Sequence, residues 1–294
     1  MISIIISSYQ PQFYNSLEKN ISETCGINYE IIKVSNDGVM DITKAYNLGA
    51  QSAIYPYLLF LHEDVIFHTQ KWGEKLIAHF NKPDTGIIGV AGSLYVPYAP
   101  SGWYVSRSNL NYATYIQNTK NKLNPKPQNI FPPNTNKTRA FAIDGVFMAI
   151  TKENFIKNQF CENMNGFHGY DLEISLRYSE TLNNFIINDI TIEHFSPGNM
   201  DEKWFDNNII IREKFKNSTF QKSHDSVTET KAFEIFLRDY MKYKGISLQT
   251  VLRTFRFFPT KRIKYSDKLK LLKLIYMHLR YKKEFEKKYK ILNA

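Results

Sequence analysis

Over the first two hundred positions, short apolar runs alternate with amphipathic stretches, and this alternation sets the expected fold. Ile2-Ser-Ile-Ile-Ile-Ser7, Tyr29-Glu-Ile-Ile-Lys-Val34 and Tyr57-Leu-Leu-Phe-Leu61 have the length of strands buried on both faces. A helix is expected between the first two, over about Gln12–Thr24. Another, capped by Asp41 or Thr43, runs through about Ala53 with Ile42, Ala45, Gly49, Ala50 and Ala53 on its apolar face. Strand, helix, strand, helix, strand at these spacings predicts a right-handed parallel αβ layer. A helix over Trp72–Phe80 and a strand over Gly86–Ala91 extend it.

From Gly92 to Arg139 the periodicity dissolves into a long aromatic segment with Tyr95, Tyr98, Trp103, Tyr104, Tyr112 and Tyr115, and turns at Pro125, Pro127, Pro132 and Pro133. Such rings either pack the loop onto the body or offer faces for a sugar to stack on. Order returns with a strand-like run over Ala140–Ile150, kinked at Asp144, and a helix from about Lys152. Gly166 and Gly169 bracket a tight turn around His168, and Asp171 opens a helix. A strand over Phe185–Ile192 leads into Glu193-His194-Phe195-Ser196. Beyond Ser223 the texture is helical. Ser226 and Glu229 form a capping-box pattern, Ser247 caps a second helix, and Ser266 to about Leu292 reads as one long amphipathic helix with Leu269, Leu272, Ile275, Tyr276 and Leu279 toward one side.

A length of 294 residues with 43% hydrophobic content suits a folded globular chain. Charge divides it. From Phe220 onward 19 Lys+Arg stand against 7 Asp+Glu, a net +12 that leaves the preceding residues at −2. Residues 1–219 therefore form the expected main domain and 220–294 a basic helical region, whose positive face suits anionic lipid or simply solvent. A nucleic-acid role for this tail is disfavoured, because its basic residues lie on regular helices and not in flexible tracts interleaved with aromatics. Only Cys25 and Cys161 are present, at no metal-ligand spacing, which points to a reducing, cytoplasmic setting. No apolar stretch approaches the roughly 20 residues of a membrane span.

The phosphate-cradling loops of ATPases and dehydrogenases and the nucleophile elbow of hydrolases are all absent. The candidate chemistry lies where strands end. His62-Glu63-Asp64 follows the third strand and Asp37 the second, and open α/β sheets bind ligands at those carboxyl ends. A solvated loop is the plain alternative for His62-Glu63-Asp64. A hydrogen-bonded structural histidine is the plain alternative for His194.

Taken together, these segments resemble a family 2-like glycosyltransferase with the GT-A fold, over roughly Ile2–Ser196. The opening strand with Ser7, Ser8 and Tyr9, the turn bearing Asp37, the helix bearing Lys44, Asn47 and Gly49, the D-x-D-like His62-Glu63-Asp64, the Gly169-Tyr170-Asp171-Leu172-Glu173 segment and the late His194 carry the likeness. Two positions depart from the family pattern: His62 stands for the first carboxylate of D-x-D, and Tyr170 for the Glu beside the base. The resemblance implies a mainly parallel α/β sheet flanked by helices, with a helical extension, and a metal-dependent, inverting transfer of a sugar from a nucleotide-sugar, UDP-linked by expectation, to a polysaccharide or glycolipid. It implies Ser7, Ser8, Tyr9, Asp37, Lys44, Asn47 and Glu63 at the donor, Asp64, His194 and His62 around Mn²⁺ or Mg²⁺, and Asp171 as base. Trp103, His168, Asp144 and Glu173 are the expected acceptor-side residues. The inner face of a membrane is an expected location. The alternative is a non-catalytic sugar- or nucleotide-binding module on the same fold.

Overall fold

The structure is a computed structural model that describes residues 1–106, 108–118, 128–131, 135–164, 166–196, 198 and 200–291. The chain runs β1 (Ile2–Ser8), α1 (Pro11–Thr24), β2 (Tyr29–Ser35), α2 (Ile42–Ser52), β3 (Tyr57–Leu61), β4 (Val65–Phe67), α3 (Trp72–Ala78), β5 (Thr85–Gly89) and β6 (Ala91–Ser93). Then come β7 (Asn111–Gln117), β8 (Gln128–Ile130), β9 (Lys137–Ala140), β10 (Ala142–Ile143), β11 (Phe147–Thr151), α4 (Lys152–Lys157), α5 (Tyr170–Ser179), β12 (Asn183–Ile187) and β13 (Ile192–His194). Five further helices follow: α6 (Glu202–Lys214), α7 (Ser226–Lys244), α8 (Leu248–Thr254), α9 (Tyr265–Arg280) and α10 (Lys282–Ile291).

The first sheet has the order β2-β1-β3-β11-β5-β12-β9. β1, β2 and β3 are parallel, while β11 and β9 run against their neighbours. Alternation along β1 divides its side chains between the two faces. Ile2, Ile4 and Ile6 join Leu17 of α1 and Trp72 on one side; Ile5 joins Tyr46 of α2, Phe60 and Ile174 of α5 on the other. This is a sheet covered on both faces by helices, the expected α/β architecture.

The segment read as an irregular aromatic loop supplies much of a second sheet, β10-β6-β7-β13-β4 with β8 paired to β7. The expected strand over Ala140–Ile150 is three strands shared between the two sheets, because the chain turns at Phe141 and again at Asp144–Val146. Likewise the strand expected over Phe185–Ile192 breaks at Asn188, sending β12 to one sheet and β13 to the other. The turns expected at Pro125, Pro127, Pro132 and Pro133 lie outside the described residues.

The C-terminal helices build their own core: Phe233, Phe236 and Leu237 pack with Phe205 of α6, Leu271 and Ile275 of α9, and Tyr289 of α10. Three expectations change here. Asp225, not Ser226, caps α7 by accepting from Thr228 N–H, and Glu229 turns inward instead of closing a capping box. The long terminal helix breaks at Tyr281, so α10 folds back until Phe285 stacks on His278 at 4.1 Å. On α9, Leu271, Ile275 and His278 face the core while Leu269, Leu272 and Tyr276 stay exposed. The apolar face is thus not the single stripe expected. Ser247 does cap α8, through Thr250 N–H at 3.1 Å.

Candidate active site

Parallel register brings Ser8, Ser35 and Leu61 to one sheet edge. β11 runs the opposite way, so Asp144-Gly145-Val146 enters at that same edge, where Val146 carbonyl accepts from His62 N–H at 3.2 Å. In the second sheet β13 pairs antiparallel with β4, setting His194 opposite Val65 and next to Asp64. His62, Asp64 and His194 thereby converge, with one candidate ligand atom from each lying within 4.8 Å of the others. It is the one such His, Cys and carboxylate cluster among the described residues.

The hydrogen bonds around this cluster set the form of each imidazole. Tyr170 hydroxyl donates to Gly145 carbonyl at 3.2 Å, so it accepts from His62 Nε2–H at 2.9 Å. That leaves the lone pair of His62 Nδ1 facing Asp64 Oδ1 at 4.0 Å. A Cβ on Gly145 would stand 2.2 Å from the Tyr170 hydroxyl, so this contact requires glycine. On the other side, Gln117 Nε2 donates to the carbonyls of Asn118, His194 and Ser196, which fixes its amide with Oε1 toward His194 Nδ1 at 3.2 Å. His194 Nδ1 therefore carries a proton, and its Nε2 lies 3.5 Å from Asp64 Oδ1 and 3.4 Å from Ser196 Oγ. His62 Nδ1 and His194 Nε2 thus face one carboxylate, each ring fixed by its outer nitrogen as metal-binding histidines are. Burial, with the neighbouring His194, drives His62 down to about 4, so it is neutral at pH 7. Burial would raise Asp64, but the hydrogen bond and charge of His194, aided by His62 and Ser196, hold its carboxyl well below the usual range. A carboxylate flanked by two imidazole nitrogens fits a divalent cation.

Beside this cluster α5 begins. Gly169 adopts φ +78° at its N-terminus, a left-handed turn that glycine makes without strain and that starts the helix at Tyr170 and Asp171. Asp171 Oδ2 accepts from Gly145 N–H at 3.2 Å. Burial, and then the like charge of Asp144, push Asp171 up to about 7. Asp144 is itself raised by burial. Glu173, two residues along, behaves differently: it is almost wholly buried and bound by Arg177 at 2.8 Å and Lys214 at 2.5 Å. Despite burial those partners lower its carboxyl and hold it in an ion pair.

The expected donor residues divide the same way. Ser7, Tyr9 and Asp37 stand at the strand ends, with Tyr9 and Asp37 exposed; Ser8 is buried and its carbonyl accepts from Asn36 N–H. Lys44 is exposed on the first turn of α2, 4.0 Å from Asp41. Glu63 instead accepts from the Tyr9 and Gln10 backbone N–H groups and so shapes the turn after β1. Asn47 is buried and clasps Phe160 and Glu162. Both hold neighbouring backbone in place. His168 lies 3.6 Å from Asp201, and Trp103 packs near Leu172 and Val96. Sequence reasoning missed Gln117, whose place beside His194 comes only from the pairing of β7 with β13. It also missed α6, signalled by Asp201 capping Trp204 N–H.

The chain matches the family model described as "Glycosyltransferase like family" over residues 3–229. Among solved structures it is similar to the crystal structure of GalNAc-T7 with UDP, GalNAc and Mn²⁺, with TM-score 0.54 and 12% identity over 84% of this chain. That alignment takes in 51% of the other chain, so this chain spans about half the length of GalNAc-T7. It is also similar to S. aureus TarS 1-349 in complex with UDP-GlcNAc, with TM-score 0.52 and 10% identity over 88% of this chain and 82% of that one. No curated protein matches the chain. At these identities the structural likeness bears on the fold, and that fold is GT-A.

Proposed function

The chain belongs to the glycosyltransferase like family, and from that premise we propose a metal-dependent, inverting enzyme that moves a sugar from a UDP-sugar to a saccharide or lipid-linked acceptor. The observation that carries this reading is the pair of imidazole nitrogens facing Asp64 beside a carboxyl group raised to about 7. Asp64, His62 Nδ1 and His194 Nε2 would hold Mn²⁺ or Mg²⁺, the two imidazoles favouring Mn²⁺. Such a cation, when bound, stabilises the negative charge that develops on a departing nucleoside diphosphate.

The chain's own residues supply the rest. Asp171 takes the proton of an acceptor hydroxyl as that oxygen bonds to the anomeric carbon and the bond to the diphosphate oxygen breaks. A base near pH 7 is well matched to that task. Gly145 N–H orients it and Asp144 keeps it basic. Asp37 and Tyr9 offer an acceptor and a ring to the nucleoside, while Lys44 offers a cation to its phosphates. The test is release of UDP from a panel of UDP-sugars with and without chelator. Metal-dependent release supports the transferase. Metal-independent binding of free sugar without release would instead favour a non-catalytic module.

A membrane-proximal acceptor is supported by a separate feature. Leu248, Leu252 and Phe255, and on α9 Leu269, Leu272 and Tyr276, are exposed in a region rich in Arg253, Arg256, Lys268 and Lys273. No helix among the described residues is long and apolar enough to cross a membrane; the contact proposed is that of these exposed apolar and basic side chains with an anionic lipid surface. Replacing Leu269, Leu272 and Tyr276 by Ser should abolish sedimentation with anionic vesicles; unchanged sedimentation would defeat this reading.

A further inference from the structure

Away from the sheet edge, the seam where α6 meets α5 and the segment after β6 contains an unusual set of donors. Arg212 is 4% exposed, yet the contact recorded for its guanidinium is Nη2 donating to Phe215 carbonyl at 2.8 Å. Its Nε and Nη1 have no partner among the described residues, and neither has Nδ2 of Asn208, which is 2% exposed. Asn208 and Arg212 are four apart on α6 and so share a face. They line one small pocket, partly open to solvent, together with Tyr95, Ser101 and apolar residues such as Val96, Leu172 and Leu176. Arg212 and Val96 also border an adjoining small space, together with Arg262, His224, Gln221 and Ser218.

A guanidinium has donors only, and a buried charge is costly unless paired. The obvious carboxylate is already engaged: Glu229 binds Arg262 at 3.2 Å, Tyr95 hydroxyl at 2.9 Å and Tyr98 N–H at 2.9 Å. Burial and the neighbouring Arg262 draw Arg212 down to about 10, which leaves it charged at neutral pH. The site therefore has a surplus positive charge and at least three free donors on two side chains.

We propose that this seam binds a phosphate-type oxyanion, held by Arg212 and Asn208. A polyatomic oxyanion carries several acceptor atoms and can reach donors on both residues at once, which a single chloride cannot. It would tie α6 to α5 and to the segment after β6. The inference does not depend on the donor chemistry assigned to the sheet edge.

The full chain, dialysed free of phosphate and sulfate, is titrated with inorganic phosphate in the presence of chelator. Thermal unfolding and ³¹P line broadening are followed, with sodium chloride at matched ionic strength as control. Phosphate should raise the melting temperature saturably and beyond chloride, and should do so equally in Asp64→Ala, which separates this site from the sheet edge. Arg212→Gln should lose the response. Asn208→Asp, which supplies a carboxylate from within, should melt higher than wild type without phosphate and no longer respond to it. A response to phosphate no greater than to chloride would mean that water fills the cavity, and would overturn the proposal. So would a full response retained in Asn208→Asp, or one lost in Asp64→Ala.

Discussion

The sheet edge and the C-terminal helical module both bury polar groups, but they finish them differently. In the module His278 uses both ring nitrogens within the protein, on Leu274 carbonyl at 2.9 Å and Tyr289 hydroxyl at 2.7 Å. Glu229 is bound on three sides. At the sheet edge His62 and His194 are each held by one nitrogen, on Tyr170 and Gln117, and turn the other toward Asp64. Asp171 and Glu173 show the same contrast within one helical turn: Glu173 is saturated by two cations, whereas Asp171 has only backbone N–H partners among the described residues and sits beside a like charge. Burial alone does not mark a functional group. Burial with one valence left open does.

This contrast breaks most sharply by mutation of the two carboxylates. Asp171→Asn should keep UDP binding but lose transfer by about 10² or more, the scale of a general base. Glu173→Gln should have the complementary effect. It leaves Arg177 and Lys214 without their buried partner and costs about 3 kcal/mol of stability, discounted because Lys214 is partly exposed. Rate per folded molecule should be little changed, as denaturant titration and activity together would reveal. A retained rate in Asp171→Asn would move the base to Asp144.

The pH profile sharpens the same point. With Asp171 raised to about 7, kcat/KM should climb through pH 7 as the base ionises. Asp144→Asn removes the like charge and should move that limb to lower pH. The stability sign is opposite. A carboxyl raised in the fold favours its protonated form, so its contribution is present below the unfolded value of about 3.9 and is lost as pH rises through about 7. Asp171→Asn should therefore gain melting temperature relative to wild type at pH 8 and little at pH 4. A smaller effect is expected from the outer partners: Tyr170→Phe and Gln117→Ala each free an imidazole to rotate and should weaken metal affinity about 10- to 100-fold. Titration with Mn²⁺ would measure it.

Much of the αβ layer was legible because β1, β2 and β3 are continuous apolar runs and the helices between them carry their own periodicity. The second sheet was not, since Asn111–Gln117 mixes Asn, Thr and Gln with aromatics, and its strands take their meaning from distant partners such as β13. Asp64, His62, His194 and Asp171 could be picked out as residues at strand ends and a helix start. Their tautomers could not, because Gln117 and Gly145 are brought to them only by tertiary pairing. The two departures from the family pattern turn out to be partners: the hydroxyl of Tyr170 holds the imidazole of His62 at 2.9 Å. For Glu63, Asn47 and Glu173 the sequence shows a polar residue near a site but not the partners that tertiary folding brings to it.

The central claim is that Asp64 and its two imidazoles form a cation site that completes nucleotide binding. Calorimetric titration of wild type and Asp64→Ala with UDP, with and without Mn²⁺, tests it directly. Wild type should bind UDP much more tightly with Mn²⁺, and Asp64→Ala should lose that gain while keeping its circular dichroism spectrum. Binding of UDP with Mn²⁺ that is equally tight in both proteins would contradict the account.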